Sequence, residues 1–363
     1  MINNDDSANI RVICRMRPLN QLEKSTGGEQ CVVYDDKNIT ITVGNEKPQE
    51  FTFDRILDPN ICQKEAFETI AIPVIESVMA GYNGTIFCYG QTCSGKTFTM
   101  EGPDNFTEET KGLIPRMMEK IFDIIINSSE DLEFQIRVSF IEIYNEKIVD
   151  LVDTKKSNLQ VKESKTKGIY IQDASEIFVT SVEEMREVMK TGSSNRTQAA
   201  TRMNERSSRS HSLFYLQIFK KNTSTDTTTI SKLYFVDLAG SEKLSKTNVS
   251  GQQLEEAKNI NKSLTCLGMV INALTSGGKE HVPYRDSKLT RILQESLGGN
   301  AKTTLVINIS MCTYNDKEIL QTLRFGFRAK SIKNQAKKNE EKSSKELYTL
   351  LDQASNKIKY QEE

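Results

Sequence analysis

The chain has 363 residues, 37% of them hydrophobic, enough for the core of one large α/β domain or of two to three average ones. Lys and Arg number 48 against 49 Asp and Glu; the formal net charge of −1 excludes a protein that coats nucleic acid with an evenly basic surface and leaves charge recognition to local patches. Seven cysteines, at 14, 31, 62, 88, 93, 266 and 312, show no CxxC or other metal-like spacing, and their odd number argues for a reducing compartment and against a disulfide framework or zinc site. No apolar run approaches membrane-spanning length, and the opening MINNDDSAN is too polar for a signal peptide, so the sequence reads as cytoplasmic, without membrane insertion.

In chain order, IRVICRM (10–16) predicts a strand and KEAFETIAIPVIESVMAG (64–81) a helix that stops at a glycine. TIFCY (85–89) and FQIRVSFIEIY (134–144) predict strands, and EEMREVMKTG (183–192) a second helix ending at glycine. LFYLQIF (213–219) and KLYFVDL (232–238) predict two strands joined through a hairpin tip around Asp226. LEEAKNINKSLTCLGMVINALTS (254–276) reads as a long helix and TTLVINIS (303–310) as a final strand. TGGEQ (26–30) reads as a surface loop. The strands are almost continuously apolar, as strands buried on both faces are, and their interleaving with helices implies one α/β domain around a central sheet. After Asn334 the composition turns charged (QAKKNEEKSSKELYTLLDQASNKIKYQEE), with Leu347, Leu350, Leu351 and Ile358 on one side of a short helical pattern. That is either a frayed tail or the first one to two heptads of a coiled coil.

GQTCSGKT, Gly90 through Gln91, Thr92, Cys93, Ser94, Gly95 and Lys96 to Thr97, fits the phosphate-loop pattern GxxxxGK[ST], with a predicted strand before it and a helix opening at KTFTMEG. The glycines let backbone N–H groups point at phosphate oxygens, and the helix N-terminus adds partial positive charge. Lys96 would reach the β- and γ-phosphates, and the Thr97 hydroxyl would ligate Mg²⁺. Cys93 raises a second reading, a nucleophilic thiol. It has no second cysteine at CxxC spacing, and His211, one of two histidines, is far off in sequence, so a small filler residue is the better reading. Downstream, NERSSRSHS (204–212) gathers hydroxyls, an Arg and an Asn before a strand. DLAGSEK (237–243) puts Asp237 at the end of the apolar run KLYFV and Gly240 three residues on. Asp237 would hold the water shell of Mg²⁺ and the Gly240 N–H would meet the γ-phosphate. Both interactions end when that phosphate leaves, which makes the segment a switch.

In that order, GQTCSGKT, NERSSRSHS and DLAGSE resemble the P-loop and two switches of a kinesin motor domain; RMRPLN, GYNGTIFCYGQT, EAKNINKSL, HVPYRDSKLTRIL and SLGGNAKTTLV extend the likeness over roughly residues 9–334. The pattern is nearest to conventional kinesin heavy chain, with a fungal-type cast in RFGFRAKSIKN (324–334). The resemblance implies a three-layer P-loop NTPase fold: a central, mixed but mostly parallel eight-stranded sheet with helices on both faces. It implies a disordered extension over 1–8, a motor domain over 9–330, a neck linker over 331–345 and the start of a neck helix or coiled coil over 346–363.

By the same resemblance the chain is a microtubule-stimulated ATPase moving along microtubules, plus-end directed, with ATP/ADP and Mg²⁺ bound, associated with the cytoskeleton, and homodimeric in the full-length protein through a stalk absent here. Asn204, Ser207 and Ser208 would serve Mg²⁺ and the γ-phosphate, and Arg209 and Glu242 would form a salt bridge that closes the site. Arg15, Arg17 and Pro18 would line the adenine side, with Phe98 stacking on the base. Lys243, Lys246, Lys258, Lys262, Tyr284, Arg285, Lys288 and Arg291 would face the acidic microtubule, joined by the basic loop KESKTKG (162–168). Ile332, Asn334 and Asn339 would dock the neck linker against a cover strand matched to NIRVICR (9–15). Two departures stand out: Lys338 replaces a usual hydrophobic residue, which predicts weaker docking of that half of the linker, and Ser310-Met311 replaces Ser-Pro. A non-motile microtubule-binding module is the alternative, against which stand the intact Lys96, Thr97, Ser208, Arg209, Gly240 and Glu242. A GTPase would need an NKxD segment, which is missing.

Overall fold

The computed structural model describes residues 7–25, 27–164, 168–202, 206–242, 252–276 and 281–341. A central sheet runs in the order Ile177–Val179, Leu132–Tyr144, His211–Asn222, Thr227–Asp237, Gly84–Tyr89, Lys302–Ile309, Arg11–Met16, Arg55–Leu57; the short strands Lys147–Asp150 and Glu340–Glu341 pair alongside Leu132–Tyr144 and Thr227–Asp237. The eight strands on the main path match the expected eight-stranded sheet. The last five, from Thr227–Asp237 to Arg55–Leu57, are mutually parallel, and the first three joints are antiparallel. Asp226, in the left-handed region at φ 51, turns the long hairpin at the predicted tip.

Alternation along the parallel strands divides the core in two. Val12, Cys14, Phe87, Leu305 and Ile307 face one layer with the helices Gln252–Thr275, Lys288–Ile292 and Asp316–Ala329. Ile13, Ile86, Cys88 and Val306 face the other, under Gln63–Ile70, Ile72–Met79, Leu113–Ile126 and Val182–Arg202. This is the three-layer arrangement, and it aligns the carboxyl ends Tyr89, Asp237, Ile309 and Met16 on one edge, where α/β folds bind ligands.

Four details differ from the sequence reading. The helix expected over 64–81 is two helices, parted at Ala71, with Pro73 in the first turn of the second, where its missing N–H costs nothing. The helix expected to end at Gly192 runs on to Arg202. Gly192 is there for packing: a Cβ would stand 2.1 Å from Cδ1 of the buried Phe140 ring. Ser7 and Ala8, expected within a disordered extension, belong to a strand Ser7–Asn9 whose partner is Lys333–Gln335. Residues 7–9, with the Ile10 N–H donating to the Ile332 carbonyl at 2.9 Å, thus pair with the segment expected to be the neck linker, while Arg11–Met16 is committed to the central sheet. A separate three-stranded sheet, Val32–Tyr34, Asn38–Ile41 and Gln49–Thr52, flanks the molecule.

Candidate active site

The strand Gly84–Tyr89 ends in the glycine loop and Lys96 opens the helix Lys96–Met100. At Gly90 a Cβ would stand 2.2 Å from the Asn308 carbonyl oxygen, so only glycine fits. Lys96 is 7% exposed; its Nζ donates to the carbonyls of Gly90 (2.9 Å) and Gln91 (2.8 Å). Burial lowers its pKa, against the opposing pull of Asp237 and Glu242. Thr97 Oγ1 donates to Asp237 Oδ2 at 2.6 Å. Asp237 Oδ1, Ser94 Oγ and Gln91 Oε1 are buried without a protein hydrogen-bond partner. Such orphaned atoms are rare unless a ligand, ion or water completes them. The hydroxyl and carboxylate oxygens of Thr97 and Asp237 are the hard donors that Mg²⁺ takes, so the residues present fit that ion.

The two segments expected to act as switches close on this loop. Ser207 and Ser208 sit in the one-turn helix Arg206–Arg209, directly before the strand His211–Asn222. The Gly240 N–H donates to the Ser208 carbonyl (2.8 Å) and the Ser241 N–H to the Gly90 carbonyl (3.1 Å). The Glu242 carboxylate receives the Thr92 N–H at 2.8 Å and, on its other oxygen, the Thr92 hydroxyl. P-loop and both switches therefore form one hydrogen-bonded unit, with Glu242 held by Thr92 in this arrangement. Asn204, Lys243 and Lys246 lie outside the described residues.

Cys93 is exposed at the loop apex with φ 60, and its carbonyl accepts from Arg17 Nε at 2.6 Å. His211 does not serve it as a base. The ring is 2% exposed, Nδ1 accepts the Ala239 N–H (3.0 Å), and Nε2, which therefore carries the proton, meets Ser263 Oγ at 2.6 Å. Burial, with Arg196 and Lys96 adding to it, pulls the imidazole pKa down to about 3. His211 is a neutral bridge from the second switch to the long helix.

Sequence reasoning missed several buried charges here. Arg196, in the helix Val182–Arg202, lies with Nη1 3.4 Å from Glu101 Oε1 and 3.6 Å from Asp237 Oδ2, and with Nε 4.0 Å from Glu142. Burial and Asp237 raise the Glu101 pKa while Arg196 opposes them. Nothing local in the sequence pairs Arg196 with Asp237, 41 positions away. On the side expected to take the base, Arg15 Nη1 donates to Thr99 Oγ1 (3.0 Å) and its guanidinium lies 5.8 Å from the centre of the Phe98 ring. Phe98 is 44% exposed, leaving a stacking face open, and Pro18 is exposed beside the half-buried Arg17. Arg17 is held by Glu23, a residue the sequence reading did not single out.

Of the basic residues expected at a filament, Lys262 and Arg285 are exposed, and Lys258 belongs to the long helix Gln252–Thr275. Tyr284 Oη donates to the Leu297 carbonyl, so that residue also anchors its turn to the core. Lys288 Nζ donates to Gln160 Oε1 (3.0 Å), its N–H to Glu146 Oε2 (2.9 Å), and Arg291 pairs with Glu163. These contacts tie the helix Lys288–Ile292 to the hairpin of Val161–Ser164 and Gly168–Ile171, which carries the basic segment KESKTKG.

The segment after Ala329 lies docked on the domain. Ile332 is 1% exposed and Asn334 2%. Asn334 Nδ2 donates to Ser296 O (3.0 Å), Ala301 O (2.7 Å) and Thr303 Oγ1 (3.1 Å), and Oδ1 accepts the Gly298 N–H (2.8 Å). Asn339 latches the far half: its N–H meets Gly81 O (2.8 Å), its Nδ2 meets Asn83 Oδ1 (2.7 Å) and Ile230 O (3.0 Å), and its Oδ1 accepts from Asn300 (3.0 Å). Lys338 does not prevent this. Its stem lies over Gly81, where an added Cβ would meet Lys338 Cγ at 3.1 Å, and its ammonium pairs with Glu340 at 3.3 Å. The half expected to dock weakly is docked here.

With this geometry in view, the chain was compared with known proteins. The family profile described as the kinesin motor domain matches residues 15–332. The chain is 55% identical over 344 residues to a kinesin heavy chain of Syncephalastrum racemosum, covering 94% of this chain and 37% of that protein. It is 52% identical over 354 residues to kinesin-related protein 3 of Dictyostelium discoideum, covering 97% and 30%. A solved structure of a fast kinesin superposes with a TM-score of 0.88 at 51% identity, over 93% of this chain and 95% of that one. The chain spans about a third of the length of the curated relatives it matches.

Proposed function

The chain belongs to the kinesin motor domain family, and on that premise we propose that it is a microtubule-stimulated ATPase that turns ATP hydrolysis into movement along microtubules, toward the plus end. The observation that carries the reading is the hydrogen-bonded unit of P-loop and switches: Gly240 to Ser208, Ser241 to Gly90 and Glu242 to Thr92. A group at the γ-phosphate position competes for these same atoms, so nucleotide state and switch position are coupled.

In this reading the loop N–H groups and Lys96 hold the β- and γ-phosphates, and Phe98, Arg15 and Pro18 border the base. Thr97, Ser208 and, through water, Asp237 would hold Mg²⁺, which would neutralise charge on the phosphate oxygens. Arg196 beside Asp237 fixes that carboxylate's position. Ser207 and Asn204 stand with Ser208 at the γ-phosphate. Glu242 exchanges Thr92 for Arg209 as the site closes, and the closed pair orders the attacking water. Catalysis then rests on positioning and charge stabilisation, with no covalent intermediate and no role for the Cys93 thiol. Through His211, which joins Ala239 to Ser263, displacement of the second switch moves the long helix. Lys243, Lys246, Lys258, Lys262, Tyr284, Arg285, Lys288 and Arg291 meet the acidic filament, with attraction that weakens as salt rises. The linker held by Ile332, Asn334 and Asn339 is the mechanical output. The full-length protein pairs as a homodimer through a stalk and works on the cytoskeleton.

Co-sedimentation with polymerised tubulin tests the coupling. Binding should be tight with a non-hydrolysable ATP analogue and weak with ADP. Equal binding in both states would favour a non-motile module.

A further inference from the structure

We propose that Glu23 is a positioning residue for ATP binding, acting through Arg17 on the apex of the phosphate loop; the proposal rests on the ATPase reading above. Glu23 lies in the short helix Gln21–Ser25, and its carboxylate is almost wholly buried at 3% exposure. A buried carboxylate persists only when its acceptor sites are filled, and here each is. Arg17 engages it with a two-pronged fork, Nη1 to Oε2 and Nη2 to Oε1, both at 2.7 Å. The Asn20 N–H donates to Oε2 (2.9 Å), while Ser310 Oγ and Asn315 Nδ2 donate to Oε1, each at 3.1 Å. The Arg17 fork is the chief reason the carboxyl is held below its ordinary pKa.

The fork fixes where Arg17 points. Its Nε donates to the carbonyl of Cys93 at 2.6 Å and its Nη1 also to that of Pro18 at 2.8 Å. Four of the five guanidinium N–H groups are thereby engaged, counting two on Nη1 and one each on Nη2 and Nε. Arg17 is thus less a ligand for the base, the role its motif implied, than a clamp on the loop. Cys93 needs such a clamp. It holds φ 60 without being glycine, a conformation that costs free energy and persists where the surroundings impose it. Releasing Arg17 would let the apex relax and misalign the N–H groups that meet phosphate. Ser310 and Asn315 sit between the strand Lys302–Ile309 and the helix Asp316–Ala329 that leads to the linker. The clamp is therefore braced on the output side of the molecule.

The test compares Glu23→Gln, Arg17→Ala and the double variant, with thermal unfolding recorded for each. Microtubule-stimulated turnover is measured against ATP and against tubulin concentration, with release of a fluorescent ADP alongside. Glu23→Gln keeps the shape and removes the charge that orients Arg17. It should raise the KM for ATP and speed ADP release by about tenfold, leaving the KM for tubulin unchanged. The double variant should be no worse than Arg17→Ala alone, because both act through one bond. A Glu23→Gln protein that unfolds earlier but binds ATP with the wild-type KM would assign Glu23 to stability only and overturn the inference. So would effects of the two single variants that add in full. A wild-type chain without ATPase activity would instead defeat the underlying reading, which keeps the two failures apart.

Discussion

Replacing Gly192 by alanine sets two effects against each other. In the middle of a helix alanine is ordinarily favoured over glycine by about 1 kcal/mol. At Gly192, however, the new Cβ would stand 2.1 Å from Cδ1 and 2.8 Å from Cε1 of Phe140. That ring cannot swing away easily: Phe140 is 1% exposed and meets Phe214 edge to face at 5.4 Å between ring centres. An approach as close as 2.1 Å puts the overpacking at the upper end of its usual range, about 2–3 kcal/mol, so net of the propensity gain the variant should be less stable by about 1–2 kcal/mol. Gly268, on the long helix Gln252–Thr275, is the control, since nothing lies within 4 Å of its Cβ position. Gly268→Ala should be more stable by about 1 kcal/mol. Chemical denaturation of both variants beside the wild type separates the terms. Gly192→Ala should also slow turnover, because the same helix carries Arg196 to Asp237 one turn later. A Gly192→Ala protein as stable as the wild type would refute the packing argument, as would equal losses at both glycines.

Glu242→Ala should cut stimulated hydrolysis by about 10²–10³-fold while ATP still binds, as transient ATP-binding and turnover assays can show; near-normal turnover would remove Glu242 from the closing step. Cys93→Ala should keep most of its activity, because the loop works through its backbone, and complete loss would revive the thiol reading. Asn334→Ala strips partners from the half-buried Gly298 N–H and the buried Ala301 carbonyl, at a cost of about 1–3 kcal/mol borne by the docked segment. A spectroscopic probe near the linker's end should report undocking, and an unmoved probe would contradict the assignment. His211 takes up no proton in the fold until about pH 3, whereas the unfolded chain protonates its imidazole near 6.5. Stability present above pH 6.5 is therefore lost as pH falls from there toward 3, by about 1.4 kcal/mol per unit, and His211→Gln should flatten that slope in denaturation curves.

Much of this site was legible because its chemistry is contiguous. GQTCSGKT declares strand, loop and helix within eight positions, and Asp237 ends an apolar run that could only be a buried strand. The partners that hold these residues were not legible, because packing and not spacing brings them together. Arg196 reaches Asp237 from another layer, and Glu23 clasps Arg17 while Ser310 and Asn315 fill its remaining acceptor sites across nearly 290 positions. Asn20 and Glu23 do carry the N-x-x-E spacing of a capping box, visible in the sequence, but that signals a helix start and not a clamp. Gly192 shows the opposite failure. A glycine after an apolar helical pattern reads as a stop, and only the ring of Phe140 on the neighbouring strand explains why the helix continues. Pro73 was a readable sign that the 64–81 helix breaks. At the segment's second half the charge of Lys338 was legible in the sequence, whereas the packing of its aliphatic stem over Gly81 was not.

The measurement that bears most directly on the central claim is steady-state ATPase activity of this 363-residue chain, with and without polymerised tubulin, at low and at moderate salt. The account predicts stimulation by orders of magnitude at low salt, fading as salt screens the basic face around Lys262, Arg285 and Lys288. Hydrolysis that tubulin leaves unchanged would contradict it, and would mean that the nucleotide site and the filament-binding face do not communicate.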